Sequence, residues 1–263
     1  MSKIEWTQDT WNPITGCTKI SEGCLNCYAE KMHKRLQAMG HFKYTYAPFS
    51  QVCIHTHEVH RYFPGKNKMI FVNSMSDSFH DELGYKQIRY GILENIILRP
   101  EHTFQLLTKR SHRLKEFEYP SNVWLGVTVE LAKYKNRIDD LRATNAKTKF
   151  LSCEPLLGDL GELDLSGIDW VIVGGESGPG ARPMHPDWVR NIQRQCQAQG
   201  VSFFFKQWGE WVPARQCPPC KPGTFRNAKV FLFNDGKAVY KVGKKNAGRE
   251  LDGKIWDEYP RVK

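Results

Sequence analysis

The sequence predicts an α/β fold: a partial (β/α) barrel followed by a small C-terminal β-hairpin appendage. Three observations predict it. Short apolar runs alternate with helix-spaced segments or loops along most of the chain. Those runs are apolar throughout instead of alternating, as parallel strands buried on both faces require. Polar or charged residues follow almost every run, as they do at the C-terminal mouth of a barrel. An open doubly wound sheet fits these three observations nearly as well.

The elements follow in order. A weak first strand falls near Trp11–Thr15, and Tyr28–Met39 has helix spacing, with Ala29, Met32, Leu36 and Met39 on one face and Gly40 as a stop. Residues 41–66 are aromatic, His-rich and aperiodic, and read as an insertion or lid. MIFVN (69–73) is a buried strand, and Tyr85, Ile88, Ile92 and Ile96 mark a helix that ends before Pro100. HTFQLL (102–107) is a strand followed by a short basic helix from Ser111; VWLGVTV (123–129) is the next strand. Leu131, Tyr134, Ile138 and Leu141 give a helical stripe, and KFLSC (149–153) and DWVIVG (169–174) are two further strands. The last helix runs from about Pro186 to Gln199 with Trp188, Ile192 and Cys196 on one face, and VSFFF (201–205) closes the series. Beyond Gly209 the rhythm stops: KVFLF and AVYKV flank an Asp235-Gly236 turn, which reads as a hairpin, and a basic tail follows. The expected organisation is therefore a barrel over residues 1–208 and an appendage over 209–263.

Composition narrows the function classes. The 263 residues carry 40% hydrophobic and 12% aromatic side chains, enough for a sizeable core and against wholesale disorder. A net charge of +10 favours a polyanionic partner, nucleic acid first and an anionic membrane second. The N-terminus has no secretory pattern, and the longest apolar stretches, about five residues, are far short of a membrane span. A cytoplasmic protein is expected, in which the eight cysteines serve as metal ligands or buried thiols in preference to disulfides.

The sharpest chemical signal is WNPITGCTKISEGCLNCYAEK, which places Cys17, Cys24 and Cys27 in one polar loop with C-x6-C-x2-C spacing. Three close thiolates can wrap one corner of an iron–sulfur cubane and leave its fourth iron open. Gly16 and Gly23, each preceding a cysteine, would allow the tight turns. The competing reading is structural zinc, which would need a fourth ligand from His33, Cys53 or the Cys217/Cys220 pair of CPPC. In the insertion, Cys53-x-His55-x-His57 could hold a metal, although an aromatic lid is the simpler reading, and its rings with positive charge suit base stacking. Basic residues cluster at Lys109, Arg110, Arg113 and Lys115, and again at Lys241, Lys244, Lys245 and Arg249. With Trp208 and Trp211 nearby in sequence, the second group could form a phosphate-tracking rim.

The chain resembles the phage-associated three-cysteine-motif family, a domain of unknown function that is similar to radical S-adenosylmethionine (SAM) enzymes. The resemblance rests on WNPITGCTKISEGCLNCYAE, FVNSMSDSFH, LLTKR, WLGVTVE, LSCEPLLG, DWVIVGGESGPGARP and FFFKQWG, with GKKNAGRELDGKIWDEYP extending it toward the C-terminus. It implies a partial barrel of the radical SAM type, a 4Fe–4S cluster on Cys17, Cys24 and Cys27, and SAM on the open iron, cleaved reductively to a 5′-deoxyadenosyl radical. It implies that Ser74 and Asp77 meet the methionine amino group, that Lys109 or Arg110 pairs with the carboxylate, and that Glu130 takes the ribose hydroxyls. Glu154 and the Gly174-Gly175-Glu176 turn complete the expected SAM set. The interval of six residues between the first two cysteines departs from the usual C-x3-C-x2-C, and Leu25-Asn26 stand where an aromatic residue is common.

The leading expectation is a radical-SAM-like iron–sulfur enzyme that modifies or repairs nucleic acid and draws electrons from a donor such as flavodoxin or ferredoxin. The alternatives are a zinc-stapled, non-enzymatic nucleic-acid-binding protein, or a radical SAM enzyme acting on a peptide or small molecule.

Overall fold

Parallel strands buried on both faces carry the fold. The computed structural model describes residues 4–216, 225 and 227–260, so the Cys217/Cys220 pair lies outside the described residues. Strands β1 (Asp9–Trp11), β2 (Ile14–Thr15), β3 (Cys53–Ile54), β4 (Met69–Val72), β5 (Thr103–Thr108), β6 (Val123–Thr128), β7 (Thr148–Cys153), β8 (Trp170–Gly174) and β9 (Ser202–Gln207) appear in turn. The parallel sheet has the order β1-β4-β5-β6-β7-β8-β9. This order keeps to the direction of the chain and lacks the reversal of a doubly wound sheet. The fold is thus α/β of the partial-barrel type, and the doubly wound alternative falls away.

Two compact units divide the chain: residues 4–127 with 137–149, and residues 128–136 with 150–260. In the first, Trp11 lies beside Val72, Val72 beside Leu106 and Leu106 beside Leu125 across four strands. None of these four side chains is more than 1% exposed. At about 1.5–3 kcal/mol per fully buried large apolar side chain, such rows supply much of the drive to fold. The helical segment from Tyr85 to Ile97 contains a π-turn at Arg89–Leu93 and buries Ile88, Ile92 and Ile96. Tyr85 differs from the expectation: its ring is exposed and stacks on Phe117 with centroids 5.2 Å apart.

Three further expectations change in this unit. The predicted strand at 11–15 splits: Asp9–Trp11 joins the sheet, and Ile14–Thr15 turns away to pair antiparallel with β3. The helix Tyr28–Ala38 buries Ala29 and His33, leaving Met32 and Met39 exposed. His33 can be buried because its Nε2 lies 3.0 Å from the Ala47 carbonyl and its ring packs edge-on against Tyr44 and Phe49. The segment after Arg110 is a 3-10 helix, Ser111–Glu116.

In the second unit, Leu151, Val171 and Phe203 lie in register across β7, β8 and β9, all with 0% exposure. The helix Pro186–Ala198 starts at His185, whose Nδ1 accepts the Asp187 N–H, and buries Val189, Ile192 and Cys196. Strand β10 (Trp211–Val212) continues into a three-stranded sheet with the hairpin β11 (Lys229–Leu232) and β12 (Ala238–Lys241), in the order β10-β12-β11. Gly236, with φ +82°, closes the hairpin turn. Among the described residues, no helix is long and apolar enough to cross a membrane.

Candidate iron–sulfur site

The cysteine loop runs from β2 to the first helix of the first unit, and the insertion holds it from one side. Gly16 has φ +86°, and a Cβ there would lie 1.9 Å from the Gln51 carbonyl oxygen, so only glycine fits. The Cys17 N–H donates to the Phe49 carbonyl at 2.7 Å, and the Ser76 hydroxyl donates to the Gly16 carbonyl at 2.5 Å. Segment 41–66 is thus a brace for the cysteine loop. Gly23 needs no such freedom: it sits inside the 3-10 turn Glu22–Cys24 with ordinary φ.

Cys17, Cys24 and Cys27 are all half-buried free thiols. Cys27 caps the 11-residue helix Tyr28–Ala38, where the positive end of the helix dipole suits an anionic ligand set. Burial pushes the Cys17 thiol up to about 12, helped by Asp77 and opposed by Arg110. For Cys24, burial also raises the value. Lys109 and hydrogen bonds from Ile20 and Ser21 together outweigh it and leave the thiol below its ordinary range.

Behind Cys17 lies a buried polar network. Arg110, 1% exposed, donates from Nε to Asp81 Oδ2 at 2.9 Å and from one terminal nitrogen to Asp77 Oδ2 at 3.2 Å and Cys17 Sγ at 3.7 Å. Its other terminal nitrogen donates to the Thr18 carbonyl at 3.2 Å and the Thr18 hydroxyl at 2.8 Å. All five guanidinium donors are used, so Arg110 has none left for a SAM carboxylate. Asp77 accepts from the Thr108 hydroxyl at 2.7 Å, the Phe79 N–H at 2.9 Å and the Lys109 N–H at 3.2 Å as well as from Arg110. Its carboxylate therefore organises the turn and orients Arg110. His80 completes the network: its Nδ1 accepts the Glu82 N–H at 3.2 Å, and its Nε2 accepts the Thr18 N–H at 3.2 Å and lies 2.8 Å from the Thr18 hydroxyl. Burial, reinforced by Arg110, holds His80 below its ordinary pKa and so neutral.

The remaining expected residues have definite places. The Ser74 hydroxyl donates to Asn12 Oδ1 at 3.0 Å, and the Ser74 carbonyl accepts from the Tyr28 hydroxyl. Lys109, next to Arg110, leaves its ammonium near enough to Cys24 to lower that thiol's pKa. In the second unit, Glu130 is fully buried beyond β6, and its carbonyl accepts the Leu157 N–H at 3.0 Å. Glu154 takes the Lys206 ammonium at 2.7 and 2.9 Å on its two carboxylate oxygens. A Cβ on Gly174 would stand 3.2 Å from that carboxylate, and one on Gly175 would stand 2.0 Å from the Trp208 carbonyl oxygen. Glu176 accepts from Arg182 at its backbone N–H (2.9 Å), Nε (2.8 Å) and terminal nitrogen (2.5 Å). Both acidic side chains are thus already partnered by cations of their own unit.

The fit of this loop to a cluster can be judged from its donors. Among the described residues, one trio of ligand-type side chains has its donor atoms within 4.8 Å of one another, and it is His185, Asp187 and Asp235. At least one pair of the three thiols therefore stands wider than the ~3.8 Å between sulfurs that share a tetrahedral zinc. Thiols that each bind a different iron need that wider spacing. Three free thiols on one loop are a donor set of the kind that holds a cluster by three cysteines. At the His185 trio, the Lys237 ammonium lies 2.8 Å from Asp187 and 2.7 Å from Asp235 and already serves as the cation. The His55 ring, 2.7 Å from the Thr15 hydroxyl, braces the β2–β3 ribbon.

A model of a family described as protein of unknown function (DUF5131) matches residues 1–260. The chain belongs to that family. No curated protein matches this DUF5131 chain. Among solved structures, it is similar to a spore photoproduct lyase variant with bound AdoMet and dinucleoside spore photoproduct, at TM-score 0.41 and 10% identity, over 88% of this chain and 67% of that one. A second spore photoproduct lyase variant aligns at TM-score 0.42 and 11% identity, over 90% and 68% of the two chains.

Sequence reasoning missed the clamp that holds the loop. Arg110 reaches Cys17 from 93 residues away, and Thr18, His80 and Asp81 hold it or the loop beside it, which no local pattern reveals. The one available signal was that Asp77, His80 and Asp81 follow one strand and Arg110 follows the next.

Proposed function

We propose that this chain is an iron–sulfur enzyme of the radical SAM kind that modifies or repairs a nucleic acid. Cys17, Cys24 and Cys27 hold a 4Fe–4S cluster, and one iron is left to SAM. The observation that carries this reading is the braced loop itself: three free, half-buried thiols on a backbone that Gly16, the Phe49 carbonyl and Arg110 fix in place. When bound, the cluster supplies the electron that cleaves SAM reductively. The chain's own residues do the rest. The Lys109 ammonium offers a positive charge beside Cys24 to the SAM carboxylate, and Ser74 offers a hydroxyl beyond the neighbouring strand β4.

Nucleic acid as the substrate is supported by the net charge of +10 and by the insertion. There the rings of Tyr46 and Tyr62 are 88% and 79% exposed, and Phe42 is 54% exposed. Exposed rings among cationic side chains stack on bases with little sequence preference. A reduced flavodoxin or ferredoxin would supply the electron.

The test is anaerobic purification with iron, sulfide and zinc quantitation, followed by incubation with SAM and dithionite. The expected outcome is a brown protein with about four irons per chain that releases 5′-deoxyadenosine, and a Cys17→Ala variant that loses most of the iron. A colourless protein with one zinc per chain, or a Cys17→Ala variant with full iron content, overturns the reading.

A further inference from the structure

Arg110 combines features that rarely occur together in one side chain. It is a full positive charge at 1% exposure, it points one N–H at Cys17 Sγ from 3.7 Å, and its other four donors each have a fixed acceptor. Two of those acceptors belong to Thr18, the residue after Cys17, so the guanidinium grips the loop at the sulfur and at the residue that follows it. A side chain gripped in this way cannot swing out, and a guanidinium cannot lose its proton.

We propose that Arg110 is the positioning residue of the site: it fixes Cys17 as a ligand and raises the reduction potential of the iron held there. The inference rests on the iron–sulfur reading above and adds a property of the site to it. Reduction adds one negative charge to the metal centre. A buried cation beside a ligand sulfur favours the reduced form, and an N–H···S hydrogen bond withdraws density from the sulfur in the same direction. Asp77 and Asp81 oppose this field, and they differ in one useful respect. The Asp77 carboxylate is 9% exposed, whereas the Asp81 side chain is 54% exposed and holds Arg110 only through Nε. The potential is therefore set by a fixed cation whose outer counter-charge can be removed separately.

The experiment compares Arg110→Gln and Asp81→Asn with the unaltered chain, reading iron per chain and the midpoint from an EPR-monitored redox titration. Arg110→Gln keeps neutral N–H donors and loses the charge; its midpoint should fall by a tenfold change in the one-electron equilibrium, about 59 mV. Asp81→Asn leaves the buried Arg110–Asp77 pair in place and unmasks the cation, so its midpoint should rise. It also provides a readable variant if Arg110→Gln folds poorly around the uncompensated Asp77. Opposite shifts support the proposal, because a merely structural role would not change sign with the charge removed. Iron-loaded variants with unchanged midpoints, or midpoints that move the same way, overturn it while leaving the iron–sulfur reading intact. An unaltered chain without iron overturns both.

Discussion

The cysteine loop of the first unit and the acidic strand ends of the second show the same kind of residue put to opposite use. Around Cys17, charged side chains satisfy one another: Arg110 answers Asp77 and Asp81, and three thiols are left half-buried without a disulfide. At the ends of β7 and β8, Glu154 and Glu176 are themselves answered by Lys206 and Arg182. A polar residue just past a buried strand is thus only a candidate. Its partners decide whether it is offered to a ligand or holds the chain together, and those partners come from other segments.

The largest effect should come from the glycines that each unit presses against a carbonyl. A side chain at position 16 meets the Gln51 carbonyl at 1.9 Å and must also adopt φ +86°, so Gly16→Ala should cost about 3 kcal/mol or more. Denaturant unfolding should show this as a lowered midpoint, and iron binding should be lost with it. Gly175→Ala, whose Cβ would meet the Trp208 carbonyl at 2.0 Å, should destabilise comparably and leave iron binding at the cysteines intact. Equal loss of iron in both variants would break the distinction between the two regions.

Legibility in the sequence followed the range of the interaction. Strands such as 69–73 and 169–174 were readable because burial on both faces leaves a continuous apolar run. The cysteine loop was readable as a candidate because its three thiols lie within eleven residues of one another in the chain. The helix face at Ala29 and His33 was not, because a buried histidine with a carbonyl partner looks polar in a hydrophobic pattern. Nor was the split of residues 11–15, since nothing local says that Ile14 will leave the sheet for Ile54. The partners of Glu154 and Glu176 stood 52 and 6 residues away and gave no pattern either.

The acidic strand ends can be ranked by burial. Removing the cation with Arg182→Ala takes the guanidinium partner from Glu176, 5% exposed, and leaves it the backbone N–H of position 182; about 3 kcal/mol should be lost. Lys206→Ala leaves Glu154 at 20% exposure, where water can take over part of the solvation; about 1–2 kcal/mol is expected. Unfolding free energies in urea check the order. Equal costs would mean that the two carboxylates are not distinguished by their burial.

Acid should separate the two units by the pH at which each weakens. In the first, burial, aided by the charge of Lys43, lowers His55 from 6.5 to about 4, and burial with Arg110 lowers His80. Between those values the unfolded chain binds a proton that folded His55 refuses, so stability is full above about pH 6.5 and is lost as pH falls toward 4. Because His55 is only partly buried, its share at the acid end is about 1–2 kcal/mol after allowance for solvent screening. In the second unit the groups shifted in the acid range are carboxylates, as Glu30 and Asp81 also are in the first: Lys237 holds Asp187, and Arg190 holds Asp252, below the usual range. A lowered carboxylate stabilises above its unfolded pKa and gives that up only as pH falls further, through its folded value. Urea midpoints followed from pH 7 to pH 4.5 should therefore decline, and His55→Gln should flatten the decline without affecting the steeper loss below pH 4. An unchanged slope in His55→Gln would show that the imidazole is hydrated in the folded chain, and with it that the β2–β3 ribbon bracing Cys17 is looser than its 2.7 Å contact to Thr15 describes.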